Sequence, residues 1–256
     1  MPSHRTTGLS PDQFTELCRR VCDHVGPWNA PTGRPRALPL GAAVKATVMY
    51  FKNNLTQQVI GELLEVSQPT VSRVIADLEP VIGQVLADHV PDLPDALTGR
   101  VLVLDGTLAP CWSWAQAPEL YSGKHHTTGH NHQVLVTLDG RLRHVSDPLP
   151  GRTHDARAVR DTGLLDALDA ANAIADKGYL GLGLLTPVRK PPGWELPPGQ
   201  KDFNTQVNSL RAVVERAISH LKTWRALHTD YRRPPSSYPT AFNAIRALHF
   251  FTLSYE

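Results

Sequence analysis

Apolar residues recur at helical spacing from Phe14 to Leu86, and beyond residue 99 they collect instead into short unbroken runs. A period near 3.6 calls for a helix with one buried stripe, whereas four or five apolar residues between turn signals call for a buried strand. The change falls across Pro91, Pro94 and Gly99, residues that interrupt regular structure. The sequence therefore predicts two domains, a helical one over 1–98 and a mixed one over 99–256. With 256 residues there is enough chain to bury a sizeable core.

Ser10 with Pro11 marks a helix start, Phe14, Leu17, Val21 and Val25 its buried stripe, and Gly26-Pro27 its end. Residues 29–39, rich in Pro, Gly and Arg, read as a loop; 40–51 and 55–86 read as helical. In the second half, strands are expected over 100–105, 133–138, 141–145, 173–176 and 184–188, with an Asp139-Gly140 hairpin turn. Helices are expected over 153–168 (Thr153 as cap), 206–227 and 240–255, with a proline-rich loop at 191–198. That order implies a mixed sheet with helices packed on it.

Net charge is only +2, so a nucleic-acid partner has to be sought in where the charges sit. Cys18, Cys22 and Cys111 are odd in number and irregularly spaced, which argues for core thiols in a reducing compartment rather than disulfides or zinc. No apolar run approaches about 18 residues, so no membrane span is expected. The localisation that follows is a reducing, cytoplasmic one.

Residues 55–77 carry the spacing of a helix-turn-helix. Thr56 caps a first helix with Ile60 and Leu63 or Leu64 inward, Gly61 permits close approach, and Val66-Ser67 makes the turn. Ser67 caps the second helix, Val71 and Val74 or Ile75 point inward, and Gln68, Thr70, Ser72 and Arg73 remain to meet base edges or phosphates. The alternative is a helical hairpin with a solvated polar face.

Three acidic residues sit where a metal site needs them. Asp105 and Asp176 each end an apolar run, and Glu215 lies mid-helix beside the expected stripe of Val207, Leu210, Val214, Ile218 and Leu221. An ionised Asp at the tip of a buried strand is costly unless paired or bound to metal, and hard oxygen donors suit Mg²⁺ or Mn²⁺. Blander readings stay open: an Asp-Gly turn at Asp105, a loop cap at Asp176, and an Arg211–Glu215 helix salt bridge.

These stretches resemble the DDE superfamily endonuclease transposases of bacterial insertion sequences, with PIF/Harbinger-like relatives. The resemblance rests on 104–107 (LDGT), 121–125 (YSGKH), 151–155 (GRTHD), 175–179 (ADKGY) and 214–218 (VERAI) with Leu221-Lys222, and on the helix-turn-helix. It implies a ribonuclease H-like fold and a metal-holding catalytic triad of Asp105, Asp176 and Glu215. It further implies cleavage at element ends and strand transfer through a two-metal in-line mechanism, with Asp105 bridging both ions. Double-stranded DNA is the implied partner and a homodimer or higher assembly the implied bound state.

Asp155 is a further candidate for the site, although a helix cap is the simpler explanation for an acid at that position. Lys124 and His125, within a run that also holds His126, His130 and His132, read as a basic loop touching phosphates rather than a zinc site. Lys177, Arg211 and Lys222 are further phosphate candidates, and Arg216, Arg225, Arg232 and Arg233 make the C-terminal part locally basic. Two rivals remain: a DNA-binding regulator with an inactive nuclease half, and a metal phosphoesterase acting on small substrates.

Overall fold

A computed structural model describes residues 4–29, 32, 34–98 and 101–255. Gly99 and Arg100, expected to punctuate the chain and to open the first strand, lie outside the described residues. Helices α1 (His4–Thr7), α2 (Pro11–Val25), α3 (Leu40–Asn53), α4 (Gln57–Leu63) and α5 (Gln68–Val85) come first, then α6 (Leu93–Leu97). Strands β1 (Leu102–Pro110), β2 (Tyr121–Ser122), β3 (Thr127–Thr137), β4 (Leu142–Val145) and β5 (Leu149–Pro150) follow. The chain continues through α7 (Asp155–Asp161), α8 (Leu164–Ala167), β6 (Ala173–Ile174), α9 (Pro198–Leu221) and α10 (Tyr238–Leu253).

The chain packs as two compact units, 1–90 with 222–256, and 91–221. A linear division at residue 98 does not anticipate the return of the C-terminal segment to the helical unit. The cause is apolar surface. Phe242, Ile245, Leu248 and Phe251 of α10 are buried, and α10 packs along α5, where Gly83 meets the Ala244 backbone and Leu78 and Ile82 are also buried. Each such side chain contributes about 2 kcal/mol when removed from water. Arg233 is spent in the same interior: its Nη2 donates to Glu79 Oε1 at 3.0 Å, and its Nη1 donates to Glu79 Oε2. Arg233 therefore does not belong to a basic groove.

Local signals in the helical unit follow the residue chemistry. Ser10 and Gln13 form a reciprocal capping box: the Gln13 N–H donates to Ser10 Oγ at 3.2 Å and the Ser10 N–H to Gln13 Oε1 at 2.8 Å. Thr56 Oγ1 accepts the Val59 N–H at 3.3 Å. Ser67 differs from expectation: it precedes α5 but caps no backbone N–H, its hydroxyl lying 3.0 Å from that of Thr70. The turn between α4 and α5 needs glycine at 61, because a Cβ there would stand 2.6 Å from the Val66 carbonyl oxygen. Changing Gly61→Ala is expected to cost about 1–3 kcal/mol in urea unfolding, since backbone is what the methyl meets. Of the cysteines, all free, Cys111 is buried but Cys22 is exposed, so the latter is no core thiol.

The second unit is a curled mixed sheet with flanking helices, consistent with the ribonuclease H-like fold. Its order is β2-β3-β1-β6, with β4 and β5 also pairing with β3. β1 runs antiparallel to β3 and parallel to β6, where Leu102 pairs with Ala173 and Val103 with Ile174. Several elements depart from the expected bounds. β1 continues five residues beyond Asp105, and β3 begins at Thr127, so His130 and His132 are buried in a strand rather than presented on a loop. The expected fifth strand is reduced to a single bridge between Leu185 and Ile174. The helix expected over 153–168 begins at Asp155, with His154 rather than Thr153 in the capping position, and breaks at Gly163, whose φ is +71°. α9 starts earlier and stops earlier than expected, and its buried residues are Val207, Val213, Val214, Ala217 and Leu221, with Leu210 exposed. No helix among the described residues is long and apolar enough to cross a membrane.

Candidate functional site

Adjacent parallel strands bring the first two carboxylates together. Val103 pairs with Ile174, so two residues further on Asp105 and Asp176 hold corresponding positions along neighbouring chains. Asp105 lies within β1 rather than at its end, while Asp176 has left β6 and accepts the Gly178 N–H at 2.6 Å, opening a tight turn over Lys177–Tyr179. Asp155, at the start of α7, joins them. A Cβ built on Gly106 would lie 2.5 Å from Asp155 Oδ1, and one on Gly178 would lie 2.8 Å from Asp176 Oδ1 and 3.3 Å from Asp155 Oδ2. The absence of side chains at 106 and 178 is what lets the acids approach.

Two cations neutralise this cluster. Arg211 of α9 donates from Nη2 to Asp105 Oδ2 at 3.2 Å, with both side chains only about 15% exposed, so water screens the pair weakly. Lys124 donates from Nζ to Asp155 Oδ2 at 2.6 Å. Burial pushes the Asp105 carboxyl above the ordinary carboxylate range, opposed by Arg211 and the Gly106 N–H and reinforced by the charge of Asp176. At Lys124 burial alone would lower the ammonium. The Asp155 hydrogen bond and the charges of Asp155, Asp176 and Asp105 outweigh it and raise it.

Beneath the carboxylates runs a buried chain of hydrogen bonds. Tyr179 Oη donates to Gln133 Oε1 at 2.7 Å, and Gln133 Nε2 donates to Asn131 Oδ1 at 3.2 Å. Asn131 Nδ2 donates to the Thr153 carbonyl at 2.8 Å and to Asp155 Oδ1 at 3.5 Å. The series ends at Asp155, which accepts from Asn131 on one oxygen and from Lys124 on the other. Burial, followed by the charges of Asp155, Asp105 and Asp176, lifts the Tyr179 phenol well above its usual range and keeps it a donor. Asn131, Gln133 and Tyr179 were not singled out from sequence. Their signal was an excess of polar residues, Gly129 to Gln133, immediately before an apolar run.

Glu215 is not among the gathered acids. It is exposed, one helical turn beyond Arg211, and has no hydrogen-bond or ion-pair partner among the described residues. Arg211 bonds Asp105 instead, which sets aside the Arg211–Glu215 helix bridge. Lys177 is exposed beside Asp176. His125 is exposed and, with Lys124, lines a small recess of about 40 Å³ that Asp155 closes from below. His130 is buried and held mostly neutral, its pKa pushed down to about 4 by desolvation, so it does not serve as a phosphate contact. Lys222 belongs to the helical unit, half-buried, with its ammonium lowered by burial.

The donor set is chemically suited to a hard divalent cation: three carboxylates, one of them destabilised as an anion by burial and by a neighbouring charge. No three His, Cys, Asp or Glu side chains among the described residues already surround an ion position. Lys124 and Arg211 instead supply the neutralising charge.

In the helical unit, Gln68 and Arg73 of α5 are exposed, and Thr70 and Ser72 half-buried, while Val71, Val74 and Ile75 are buried. Gln68 Nε2 donates to Gln57 Oε1 at 2.6 Å. The outward-facing set is thus presented by the second helix of the α4–α5 pair.

Comparison with known proteins bears on both units. Residues 36–88 match the helix-turn-helix of DDE superfamily endonucleases. A protein of Streptomyces albus G described as a transposase for insertion sequence element IS112 is 32% identical over 250 residues, covering 97% of this chain and 93% of that protein. Another from Microchaete diplosiphon, described as a transposase for insertion sequence element IS702, is 33% identical over 109 residues, covering 41% of this chain and 39% of that one. Residues 104–249 match the DDE superfamily endonuclease family, and the chain belongs to it.

Proposed function

We propose that this chain is a DNA transposase, in which the helical unit, 1–90 with 222–256, binds double-stranded DNA and the sheet unit, 91–221, cuts and joins it. The observation that carries this reading is the convergence of Asp105, Asp155 and Asp176 with Lys124 and Arg211 in one cluster on the sheet. The relatives described as transposases support it.

Asp105, Asp176 and Glu215 are the residues proposed to hold Mg²⁺ or Mn²⁺, as two ions, with Asp155 as a further carboxylate. The role of Glu215 rests on the family resemblance and on its place one turn from Arg211. When bound, such ions supply Lewis acidity and lower the pKa of a water. Binding them requires the carboxylates to close in as Arg211 and Lys124 release them. The two cations are then available to a phosphate. Arg211 Nε is buried and has no hydrogen-bond partner among the described residues, a donor left over for a substrate oxygen. Lys124, His125 and Lys177 stand at the exposed rim, where phosphodiester oxygens arrive. The protein is proposed to work on nucleoid DNA in the bacterial cytoplasm, as a homodimer or larger assembly that holds two element ends.

The test is nicking of supercoiled plasmid by the full chain with Mg²⁺ or Mn²⁺. Cleavage that vanishes in excess EDTA supports the reading. Duplex binding without cleavage in either ion overturns it in favour of a regulator. For the DNA-reading half, joint replacement of Gln68 and Arg73 by Ala is expected to weaken duplex binding at least about tenfold and to reduce its salt dependence. Unchanged affinity in a fluorescence anisotropy titration would remove the assignment.

A further inference from the structure

Beside the outward face of α5 lies a cleft of about 830 Å³ lined by Arg34, Arg36, Leu38, Ser67, Thr70, Arg73 and Asp77. Its outer wall is the segment 34–38, part of a stretch that sequence alone reads as a loop. The segment is tied down. Trp28 Nε1 donates to the Leu38 carbonyl at 2.8 Å, closing the segment on itself, and the Arg36 N–H donates to Asn29 Oδ1 at 3.0 Å. The Arg36 guanidinium lies 4.0 Å from the Trp28 ring centroid and pairs with Asp77 of α5 at 2.7 Å. A cation held over an aromatic face and against a carboxylate fixes the segment to the helix at its middle.

Three arginines thus face one carboxylate, and that carboxylate is already engaged by Arg36. Arg73 Nε donates only to the Pro69 carbonyl, at 3.1 Å, and neither Arg34 nor Arg73 has an acidic partner among the described residues. The cleft carries uncompensated positive charge on planar donors suited to phosphate oxygens. It begins at Ser67 and Thr70, where α5 presents its first turn, and runs along the helix to Asp77.

From this arrangement we infer that residues 34–38, held by Trp28, form a clasp for the sugar-phosphate backbone of duplex DNA. Arg34 and Arg73 grip one strand from opposite walls while the first turn of α5 meets base edges. The inference rests on the proposed DNA-reading role of α5 and adds a second, sequence-independent contact beside it. Because Trp28 and Asp77 already hold the segment, much of the ordering cost of the contact is met before DNA arrives.

The experiment uses the full chain and two duplexes of equal length, one selected by the wild-type protein from a random pool and one unrelated. Anisotropy titrations between about 50 and 200 mM salt give the slope of log K against log salt. Arg34→Ala is expected to reduce that slope by about 0.9, the loss of one phosphate contact, and to weaken both duplexes by the same factor. Arg34→Lys keeps the charge and is expected to restore most of the slope. Arg34 is exposed, so an unaltered thermal melt accompanies both variants. An unchanged slope in Arg34→Ala overturns the clasp, and so does a loss confined to the selected duplex, which would make Arg34 a base reader. Wild-type protein that enriches no duplex from the pool instead overturns the role of α5 itself.

Discussion

Replacing Asp105 by Asn is expected to lower plasmid cleavage by at least about 10³-fold while leaving duplex affinity and the melting temperature unchanged or slightly raised. A loss of that size is about 4 kcal/mol of transition-state stabilisation, well within what positioning and activating a nucleophile through metal is worth. The stability side follows from the surroundings of the carboxylate. Burial and the charge of Asp176 both disfavour the anion, and Arg211 with the Gly106 N–H only partly offset them. An amide of the same size keeps an oxygen for the Gly106 N–H and removes the repulsion from Asp176, which offsets the loss of the acceptor for Arg211. A group kept charged against its environment marks a functional position. The measurement pairs a nicking assay with calorimetry on one preparation. A variant that both melts far lower and loses cleavage would show Asp105 to be structural, and a fully active variant would remove it from the chemistry.

Gly106→Ala is expected to be the second most damaging change, although it adds one methyl and removes no functional group. That methyl would arrive 2.5 Å from Asp155 Oδ1 and 3.3 Å from Tyr179 Oη. The carboxylate cannot swing aside cheaply, because Lys124 holds one oxygen and Asn131 the other. Displacing it breaks the Lys124 contact or pushes β1 from β3. Either route misplaces the acids by a fraction of an ångström, which is expected to cost cleavage about 10–100-fold and stability about 1–3 kcal/mol. Gly41→Ala is the control, since nothing lies within 4 Å of a Cβ built there and the residue sits in α3. Equal behaviour of the two variants would show that Gly106 only tolerates its neighbours and does not position them.

Much of this was legible in the residues. The α4–α5 pair, its Thr56 cap and the need for Gly61 follow from local chemistry alone, since caps and tight turns depend on residues a few positions apart. The apolar runs ending near Asp105 and Asp176 announced neighbouring strands. What escaped were features set by distant partners. β3 extends back to Thr127 through Gly129, His130, Asn131, His132 and Gln133, a stretch whose polarity reads as loop. Asn131, His132 and Gln133 are buried there because they bond one another, Tyr179, Ser146 and Asp155, and hydrophobic patterning fails where a polar network replaces apolar packing. Asp155 was legible only as a further candidate, because its position at a helix start already accounts for an acid there. Several C-terminal arginines looked like a DNA groove, yet Arg233 is committed to Glu79.

The return of α10 to the helical unit has a consequence for biogenesis. Synthesis proceeds from the N-terminus at about 5–20 residues per second, so α5 leaves the ribosome many seconds before the helix that shelters it. Until the last segment emerges, Leu78, Ile82 and their neighbours lack that cover, and Glu79 waits for Arg233. A ribosome that stalls anywhere within the sheet would leave behind an unfinished reader, prone to chaperone capture, rather than a competent DNA binder without its cutting half.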